Sequence, residues 1–366
     1  MSEGARIRIG VVGCGMVAQA EHLPYLSELQ DRFDLAAVAD PSRTVREAVA
    51  ARYGVPGVHE DFRRLIEAGG LDAVLIASPA ATHAEVVLAA LDAGLHVFVE
   101  KPLCISVSDA DRIVAARDRA ERVVQVGFMK RYDPAWERML TELPETAEEL
   151  RYLRVMCHDP EWLPFFAEGD IVKGQDVPPA LIEATRRSES EQVEAAVGDG
   201  SPEAVFAFSD AYLGSMGHDV NAVHGLLEAL GEPLPGRVAD GAWWNDGRAI
   251  TGSVVLANGA RWDSAWIQLF GIREYRETIA FYFQDSYRKL EFPSPWLKQT
   301  PTVYERSEAD DLDRSVRLFE SHREAFRQEL VHFHACVTQG AVCRTPPEQA
   351  RVDIELLTAM FLAGKS

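Results

Sequence analysis

The feature that most constrains the fold is an apolar run that leads directly into a glycine-rich turn. The run Ile7–Val12 predicts a buried strand, and Gly13-x-Gly15-x-x-Ala18 follows it without a break. The first glycine permits a tight turn, the second lets phosphates approach the backbone, and a small third residue lets the helix pack close to the strand. The helix N-terminus adds partial positive charge. The pattern predicts a strand–turn–helix unit that binds a dinucleotide pyrophosphate.

The first 127 residues alternate between short apolar runs and helical patterns. Such alternation is typical of a doubly wound parallel sheet, in which ligands bind at the carboxyl ends of the strands. A capping-box pattern at Thr82 and Glu85 predicts a helix start, and Pro24 predicts a kink or an end in the first helix. The predicted strands are Ile7–Val12, Phe33–Ala39, Ala73–Ala77, His96–Val99 and Val123–Val126.

The pattern changes in the second part of the chain. Leu150–Cys157 predicts a strand, and a region rich in Pro, Gly and charge follows, with one helical stretch at Pro179–Val197. Residues 237–292 alternate apolar and polar side chains, which is typical of an antiparallel sheet. Two helical patterns end the chain, the second opening at Thr345-Pro346. These elements predict an α+β architecture.

The length of 366 residues suits two domains. We place their boundary where the pattern changes. We expect a dinucleotide-binding domain over residues 1–127 and an α+β domain over residues 128–366, with the last helices packing back on the first domain.

Charge and cysteine content exclude several function classes. A net charge of −20 argues against nucleic acid and against an anionic membrane surface. No apolar run reaches the length of a membrane span, and the first residues lack the apolar core of a signal peptide. The five scattered cysteines favour reduced cytoplasmic thiols over disulfides or zinc. His332 and His334 do not share a helix face, so we expect no metal site.

Four separated segments carry motifs that occur together in one known family. They are the glycine turn at residues 13–18, the stretch Ala-Ser-Pro-Ala-Ala-Thr-His at 77–83, Glu-Lys-Pro at 100–102, and Val-Gly-Phe-Met-Lys-Arg-Tyr-Asp-Pro at 126–134. Together they resemble the Gfo/Idh/MocA family of NAD(P)-dependent oxidoreductases, most strongly over residues 6–136.

That resemblance implies an N-terminal Rossmann domain and a C-terminal open antiparallel β-sheet with helices on one face. It implies that a polyhydroxy small-molecule substrate lies between the two domains. It further implies that the exposed sheet face makes the contact of a homodimer or homotetramer.

Asp40 follows the second predicted strand, where a carboxylate accepts hydrogen bonds from the adenosine ribose and repels a 2′-phosphate. We therefore expect NAD in preference to NADP, although Arg43 would partly reverse this preference. The alternative is that this stretch is only a polar turn opening a helix. The expected cofactor-binding residues are Gly13, Gly15, Met16, Val17, Ala18, Asp40, Arg43, Ser78, Pro79, His83, Glu100 and Lys101.

The resemblance assigns proton exchange with the substrate hydroxyl to Lys101, while hydride passes to the nicotinamide ring. An amine pressed against that ring would be partly desolvated, which lowers its pKa toward working pH. The alternative is a solvated surface lysine at a strand end. We also expect the Lys101–Pro102 peptide to be cis.

Residues 213–221 resemble the family helix that carries Asp-x-x-x-His. His218 fits the histidine position, and Asn221 falls where a further aspartate often lies. Both share one helix face, and a neutral imidazole suits proton transfer from an alcohol. The alternative is a histidine that only packs the helix. We expect Lys101 and His218 to be catalytic; the expected substrate-binding residues are Lys101, Arg131, Tyr132, His218 and Asn221.

One position departs from the family pattern. Gly214 stands where an aspartate is often found, so the usual Lys/Asp/His trio is at most a pair, and Asp210 and Asp219 lie at other offsets. We expect a cytoplasmic NAD-dependent dehydrogenase that oxidises a secondary hydroxyl of a sugar, cyclic polyol or glycoside. The alternatives are an NAD- and sugar-binding regulator with reduced catalysis, which Gly214 favours, and an NADPH-dependent carbonyl or imine reductase.

Overall fold

The computed structural model describes residues 5–160, 171–310 and 313–364, which form two compact units. Unit 1 comprises the described residues within 1–127, 168–192 and 326–351. Unit 2 comprises those within 128–167, 193–325 and 352–366. Two segments of the range 128–366 thus group with unit 1, while residues 161–170 of the predicted irregular region lie outside the described residues.

Unit 1 is built on a parallel sheet of six strands. They are β1 (Ile7–Val12), β2 (Phe33–Ala39), β3 (Gly57–His59), β4 (Ala73–Ile76), β5 (His96–Glu100) and β6 (Val124–Gly127). The strand order is β3-β2-β1-β4-β5-β6, which confirms the predicted doubly wound Rossmann sheet. The order reverses between β1 and β4, where such sheets bind their ligands. The short edge strand β3 was not predicted, because its three residues contain no apolar run.

Unit 2 contains an eight-stranded sheet. Its strands are β7 (Tyr152–Pro160), β8 (Arg237–Trp244), β9 (Ala249–Val255), β10 (Arg261–Leu269), β11 (Arg276–Tyr282), β12 (Ser286–Phe292), β13 (Val303–Asp310) and β14 (Asp313–Glu320). The order is β14-β13-β12-β11-β7-β10-β9-β8, with β7 and β10 parallel and the other neighbours antiparallel. The predicted antiparallel sheet is therefore confirmed apart from this one pair.

The α-helices of the described residues include the predicted helix Pro179–Val197. They are α1 (Leu23–Glu28), α2 (Arg43–Tyr53), α3 (Phe62–Ala68), α4 (Ala80–Asp92), α5 (Val107–Ala120), α6 (Pro134–Thr141), α7 (Pro179–Val197), α8 (Pro202–Val205), α9 (Gly217–Ala229), α10 (Ala325–Gln339) and α11 (Pro347–Ala363). None of them is long and apolar enough to cross a membrane.

Two local expectations about unit 1 need correction. Pro24 does not end the first helix, because the chain stays helical from a π-helical segment at Ala18–His22 into α1, where Pro24 is the second residue. The alternative that Pro24 kinks the helix stays a prediction. The capping box fails because α4 begins at Ala80 with Pro79 as its N-cap, three residues before the predicted N-cap Thr82. Thr82 lies inside that helix, and its hydroxyl donates to the carbonyl oxygen of Pro79 at 2.7 Å.

The register of the second sheet gathers its large apolar side chains on one face. Leu153 of β7 is paired with Trp262 of β10 and Phe281 of β11, and all three are fully buried. Tyr152 and Tyr282, one residue along their strands, stack on the opposite face with ring centroids 5.9 Å apart. This two-residue period is the pattern that predicted the sheet.

Helix α11 packs closely on this sheet because β8 and β9 present glycines to it. A Cβ atom added at Gly241 would lie 1.9 Å from the carbonyl oxygen of Met360, and one at Gly252 would lie 2.4 Å from the Met360 sulfur.

A π-helical segment at Phe206–Met216 is joined to β9 by Tyr212, whose hydroxyl donates to the carbonyl oxygen of Thr251 at 2.8 Å.

The helix–sheet contact makes a direct prediction. Gly241→Ala forces a methyl group into backbone atoms of α11, and we expect it to destabilise unit 2 by about 1–3 kcal/mol. Gly271→Ala is the matched control, since a Cβ atom there meets nothing within 4 Å. Thermal unfolding followed by circular dichroism measures both variants. Equal melting temperatures for the two would contradict this close packing.

Candidate cofactor site and catalytic residues

The glycine turn after β1 has the geometry of a phosphate cradle. Gly13 has a φ of 85°, and a Cβ atom there would lie 2.6 Å from the backbone nitrogen of Ser78, so only glycine fits. A Cβ atom at Gly15 would meet nothing within 4 Å, which leaves its backbone accessible. The helix begins at Met16 and continues through Val17 and the fully buried Ala18. These residues fit a pyrophosphate held at a helix N-terminus.

Asp40 connects this turn to the end of the second strand. Its carboxylate accepts the backbone N–H of Cys14 at 2.9 Å and that of Ser42 at 2.8 Å. Burial raises the pKa of Asp40, and these two hydrogen bonds oppose the effect. Burial also raises the pKa of the Cys14 thiol to about 12, so Cys14 acts here through its backbone. Each carboxylate oxygen keeps a lone pair for a ribose hydroxyl.

The basic residue that approaches Asp40 is one that the sequence analysis missed. Arg43 lies on the exposed side of α2 and pairs with Glu47 at 2.6 Å, so its expected cofactor contact stays a prediction. Arg46, one helical turn further, donates to the backbone oxygens of Asp40 at 3.1 Å and Pro41 at 3.0 Å. The spacing of three between the two arginines was the signal that could have pointed to it.

Ser78, Pro79 and His83 lie at the carboxyl end of β4. The nitrogens of the buried His83 ring lie 2.7 Å from the Pro102 carbonyl oxygen (Nδ1) and 2.8 Å from the Ser78 carbonyl oxygen (Nε2). Burial lowers the pKa of His83, and a neutral imidazole donates to only one of these two oxygens. His83 thus joins the loop after β4 to the turn at Pro102, and its cofactor contact stays a prediction.

Glu100 and Lys101 close β5. The Lys101–Pro102 peptide is cis, as predicted. The buried Glu100 carboxylate lies 2.6 Å from His22 Nε2 through one oxygen and accepts the Lys101 backbone N–H at 3.1 Å through the other. Lys101 itself is partly exposed at the carboxyl edge of the sheet. The backbone at the end of β5 is therefore held by the buried Glu100 carboxylate, while the Lys101 side chain remains partly exposed.

A second carboxyl group lies beneath this turn and was not predicted. Glu329 of α10 is fully buried, and neither of its side-chain oxygens has a hydrogen-bond partner among the described residues. Burial, followed by the charges of Glu100 and Glu21, raises its pKa, which favours the uncharged acid. Ligand atoms of His22, Glu100 and Glu329 lie within 4.8 Å of one another, a spacing that could hold an ion. The expected absence of a metal site stays a prediction.

Unit 2 carries the residues expected at the substrate. His218 lies at the start of α9, partly exposed, with its ring edge-to-face against Phe128 at 6.4 Å. Asn221 on the same helix is fully buried and donates through Nδ2 to Asp353 at 2.6 Å. The two residues were expected to face one cleft together. The structure leaves His218 accessible and places Asn221 within a buried network.

Arg131 and Tyr132 are buried within unit 2. The Arg131 guanidinium lies over the Trp136 ring, donates to the Asn221 backbone oxygen at 3.2 Å, and rests against Gly225, where a Cβ atom would come within 2.2 Å. These contacts tie the start of α6 to α9. The substrate contacts expected of Arg131 and Tyr132 stay predictions.

A buried ion cluster beside His218 escaped the sequence analysis. Lys130 donates to Asp219 at 2.7 Å and also pairs with Glu277, and all three side chains are buried. Burial opposes the charge on Lys130, but the two carboxylates outweigh it and raise its pKa. The carboxylate of Asp219 is therefore engaged with the buried Lys130, and it does not take the place of the family aspartate that is absent at Gly214. Asp210, the other substitute considered, is exposed.

Gly214 lies within the π-helical segment Phe206–Met216, which ends just before α9. The family offset of four residues assumes α-helical geometry, in which such residues share a face. A π-helix has a longer i→i+5 repeat, so this offset does not apply across the segment. The absent aspartate thus coincides with a change of local backbone geometry.

The N-terminal part of the chain is similar to known proteins. The family model GFO_IDH_MocA, described as an oxidoreductase family with an NAD-binding Rossmann fold, matches residues 7–128. Inositol 2-dehydrogenase 3 from Saccharopolyspora erythraea is 42% identical over 138 residues, which cover 36% of this chain and 39% of that protein. An inositol 2-dehydrogenase from Acidothermus cellulolyticus is 38% identical over 144 residues, 39% of this chain and 42% of that protein. The match thus spans about two fifths of these relatives' length.

Two solved structures share the fold over nearly the whole chain. A 3-ketoreductase from Actinomadura kijaniata, in complex with NADP and TDP-benzene, has a TM-score of 0.73 and 19% identity, covering 98% of each chain. UDP-N-acetylglucosamine 3-dehydrogenase from Acidithiobacillus ferrooxidans has a TM-score of 0.71 and 19% identity over 98% of each chain. These low identities support the fold alone. Over residues 7–128, the chain is similar to the Gfo/Idh/MocA family of oxidoreductases.

Proposed function

We propose that the protein is an NAD-dependent dehydrogenase that oxidises a secondary hydroxyl of a sugar, cyclic polyol or glycoside. The observation that carries this proposal is the arrangement at the carboxyl edge of the first sheet. The glycine cradle, the bridging carboxylate of Asp40 and the accessible Lys101 all lie at that edge. Similarity to inositol 2-dehydrogenases over the N-terminal region supports a cyclic polyol as the first substrate to assay.

The site residues of unit 1 have separate roles in this proposal. A bound nicotinamide cofactor supplies the hydride acceptor. The turn at Gly13 and Gly15 binds the pyrophosphate, and Asp40 accepts hydrogen bonds from the adenosine ribose. Lys101 Nζ, in its neutral form, takes the proton of the substrate hydroxyl as general base. Glu100 and His22 hold the backbone that carries this amine.

In unit 2 we propose His218 as the second proton-transfer residue, because it is the partly exposed imidazole at the start of α9. The burial of Arg131, Tyr132 and Asn221 supports a role in holding that helix, and their substrate contacts remain predictions. A cytoplasmic location and a homodimer or homotetramer formed through the sheet of unit 2 also remain predictions.

The first functional prediction concerns Lys101. Lys101→Met removes the amine but keeps the length of the side chain, and we expect turnover to fall about 10²–10⁴-fold because proton transfer is lost. Affinity for NAD should fall much less than turnover, because the glycine turn and Asp40 keep their contacts. Reduced-nicotinamide absorbance, followed over a panel of inositols, sugars and glycosides, measures turnover, and calorimetry measures binding.

Lys101→Arg is the matched variant, because its guanidinium keeps the charge but does not give up its proton at working pH. We expect it to be as inactive as Lys101→Met. Near wild-type turnover of either variant would contradict the role of Lys101. NAD binding without turnover of any polyol by the wild-type protein would favour the regulator alternative, and turnover of carbonyls with NADPH alone would favour the reductase.

The second prediction concerns Asp40. Asp40→Asn removes a charged acceptor, whose hydrogen bonds contribute about 1.5–3 kcal/mol each, so NAD should bind roughly 10–100-fold more weakly. Asp34→Asn is the control, since this carboxylate on β2 is half exposed and pairs only loosely with Arg6 at 3.5 Å and Arg8 at 3.6 Å. Calorimetric titration with NAD distinguishes them. Unchanged NAD affinity in Asp40→Asn would overturn the ribose contact.

A further inference from the structure

Residues 172–176, here called the covering segment, lie against the predicted cofactor edge of unit 1. Gln19, in the helix that follows the glycine turn, donates to the Val172 carbonyl oxygen at 3.0 Å and accepts the Val172 N–H at 2.8 Å. The backbone at Gly174 lies so close to Ser42 that a Cβ atom would come within 2.0 Å of the Ser42 hydroxyl oxygen. The covering segment therefore contacts the starts of both helices that flank the cofactor cradle.

The carboxylate of Asp176 is held at the N-terminus of α2. It accepts the Thr44 backbone N–H at 2.9 Å and the Thr44 hydroxyl at 3.1 Å, and its other oxygen accepts the Ser42 hydroxyl. Hydrogen bonds from Ser42 and Thr44 lower the pKa of Asp176 to about 2, so it is an anion at neutral pH. The start of this eleven-residue helix thus binds an anion that the protein itself supplies.

These donors are the ones that a phosphate on the adenosine ribose would meet. A carboxylate at the end of β2 binds the ribose hydroxyls, and the groups just after it receive the additional phosphate of NADP. Here those groups are two hydroxyls and a backbone N–H, with Arg43 beside them. Asp176 occupies the donors and places a second negative charge near Asp40, whose pKa it helps to raise.

We propose that Asp176 is a specificity-determining residue that excludes NADP by occupying, with its own carboxylate, the anion-binding groups of Ser42 and Thr44. The inference rests on the proposed function, since it assumes that a nicotinamide dinucleotide binds this edge. The coenzyme preference then depends on a residue that lies far along the chain from the glycine turn. NAD carries no phosphate at that ribose and therefore leaves the contact intact.

The test is the ratio of NADP to NAD affinity in wild-type protein and in Asp176→Ala. Removing the carboxylate frees the donors and removes a like charge, so NADP should bind about tenfold more tightly or better, relative to NAD. Asp176→Asn keeps the shape but loses the charge, and we expect an intermediate ratio. Glu183→Ala is the matched control: it makes the same change of net charge at an exposed position of α7, and the ratio should stay within about twofold.

Calorimetry with NAD, NADP, ADP-ribose and its 2′-phosphate measures these ratios without any requirement for turnover. An unchanged ratio in Asp176→Ala, or equal affinities for NAD and NADP in the wild-type protein, would overturn the inference and leave the proposed function standing. A parallel rise in affinity for both coenzymes would also overturn it, because the segment would then act as a general cover. Failure of the wild-type protein to bind any of the four probes would instead remove the proposed function.

Discussion

The rest of the candidate site depends on one carboxylate. Asp40 accepts backbone N–H groups from Cys14 in the glycine turn and from Ser42 before α2, and so joins these two loops. Burial makes an unpaired carboxylate costly, and these hydrogen bonds offset the cost. The carboxylate oxygens of Asp40 that would accept hydrogen bonds from the ribose also bind the glycine turn that would contact the pyrophosphate. If the proposed function holds, coenzyme binding and local structure are coupled through this one side chain.

The strand end around Lys101 follows a similar principle. Lys101 is placed by its neighbours: Glu100 binds its backbone N–H and contacts His22, while His83 reaches the carbonyl oxygen of Pro102. Beneath them, the raised pKa of Glu329 favours an uncharged acid and avoids a further buried negative charge. The strand end that carries Lys101 is thereby held by the buried polar side chains of His22 and Glu100.

The sequence contained the local part of this arrangement but little of the long-range part. Apolar runs and the glycine spacing predicted the strands and the cradle, because these depend on neighbouring residues. Charged strands such as β13 and β14 have no apolar period and were missed. The motif offset and a shared helix face pointed to Asn221 as a substrate ligand, whereas its hydrogen bond to Asp353 joins distant parts of the chain. The contact of Asp176 with Ser42 joins distant segments, which no local pattern encodes.

The most direct test of the account is hydrogen exchange with and without NAD, read by mass spectrometry. If the carboxyl edge of the first sheet binds the coenzyme, added NAD should slow exchange in peptides that cover residues 12–19, 40–45 and 77–83. Peptides from the second sheet, such as 276–292, should exchange at an unchanged rate and serve as an internal reference. Slower exchange elsewhere, with those three regions unaffected at saturating NAD, would contradict the central claim.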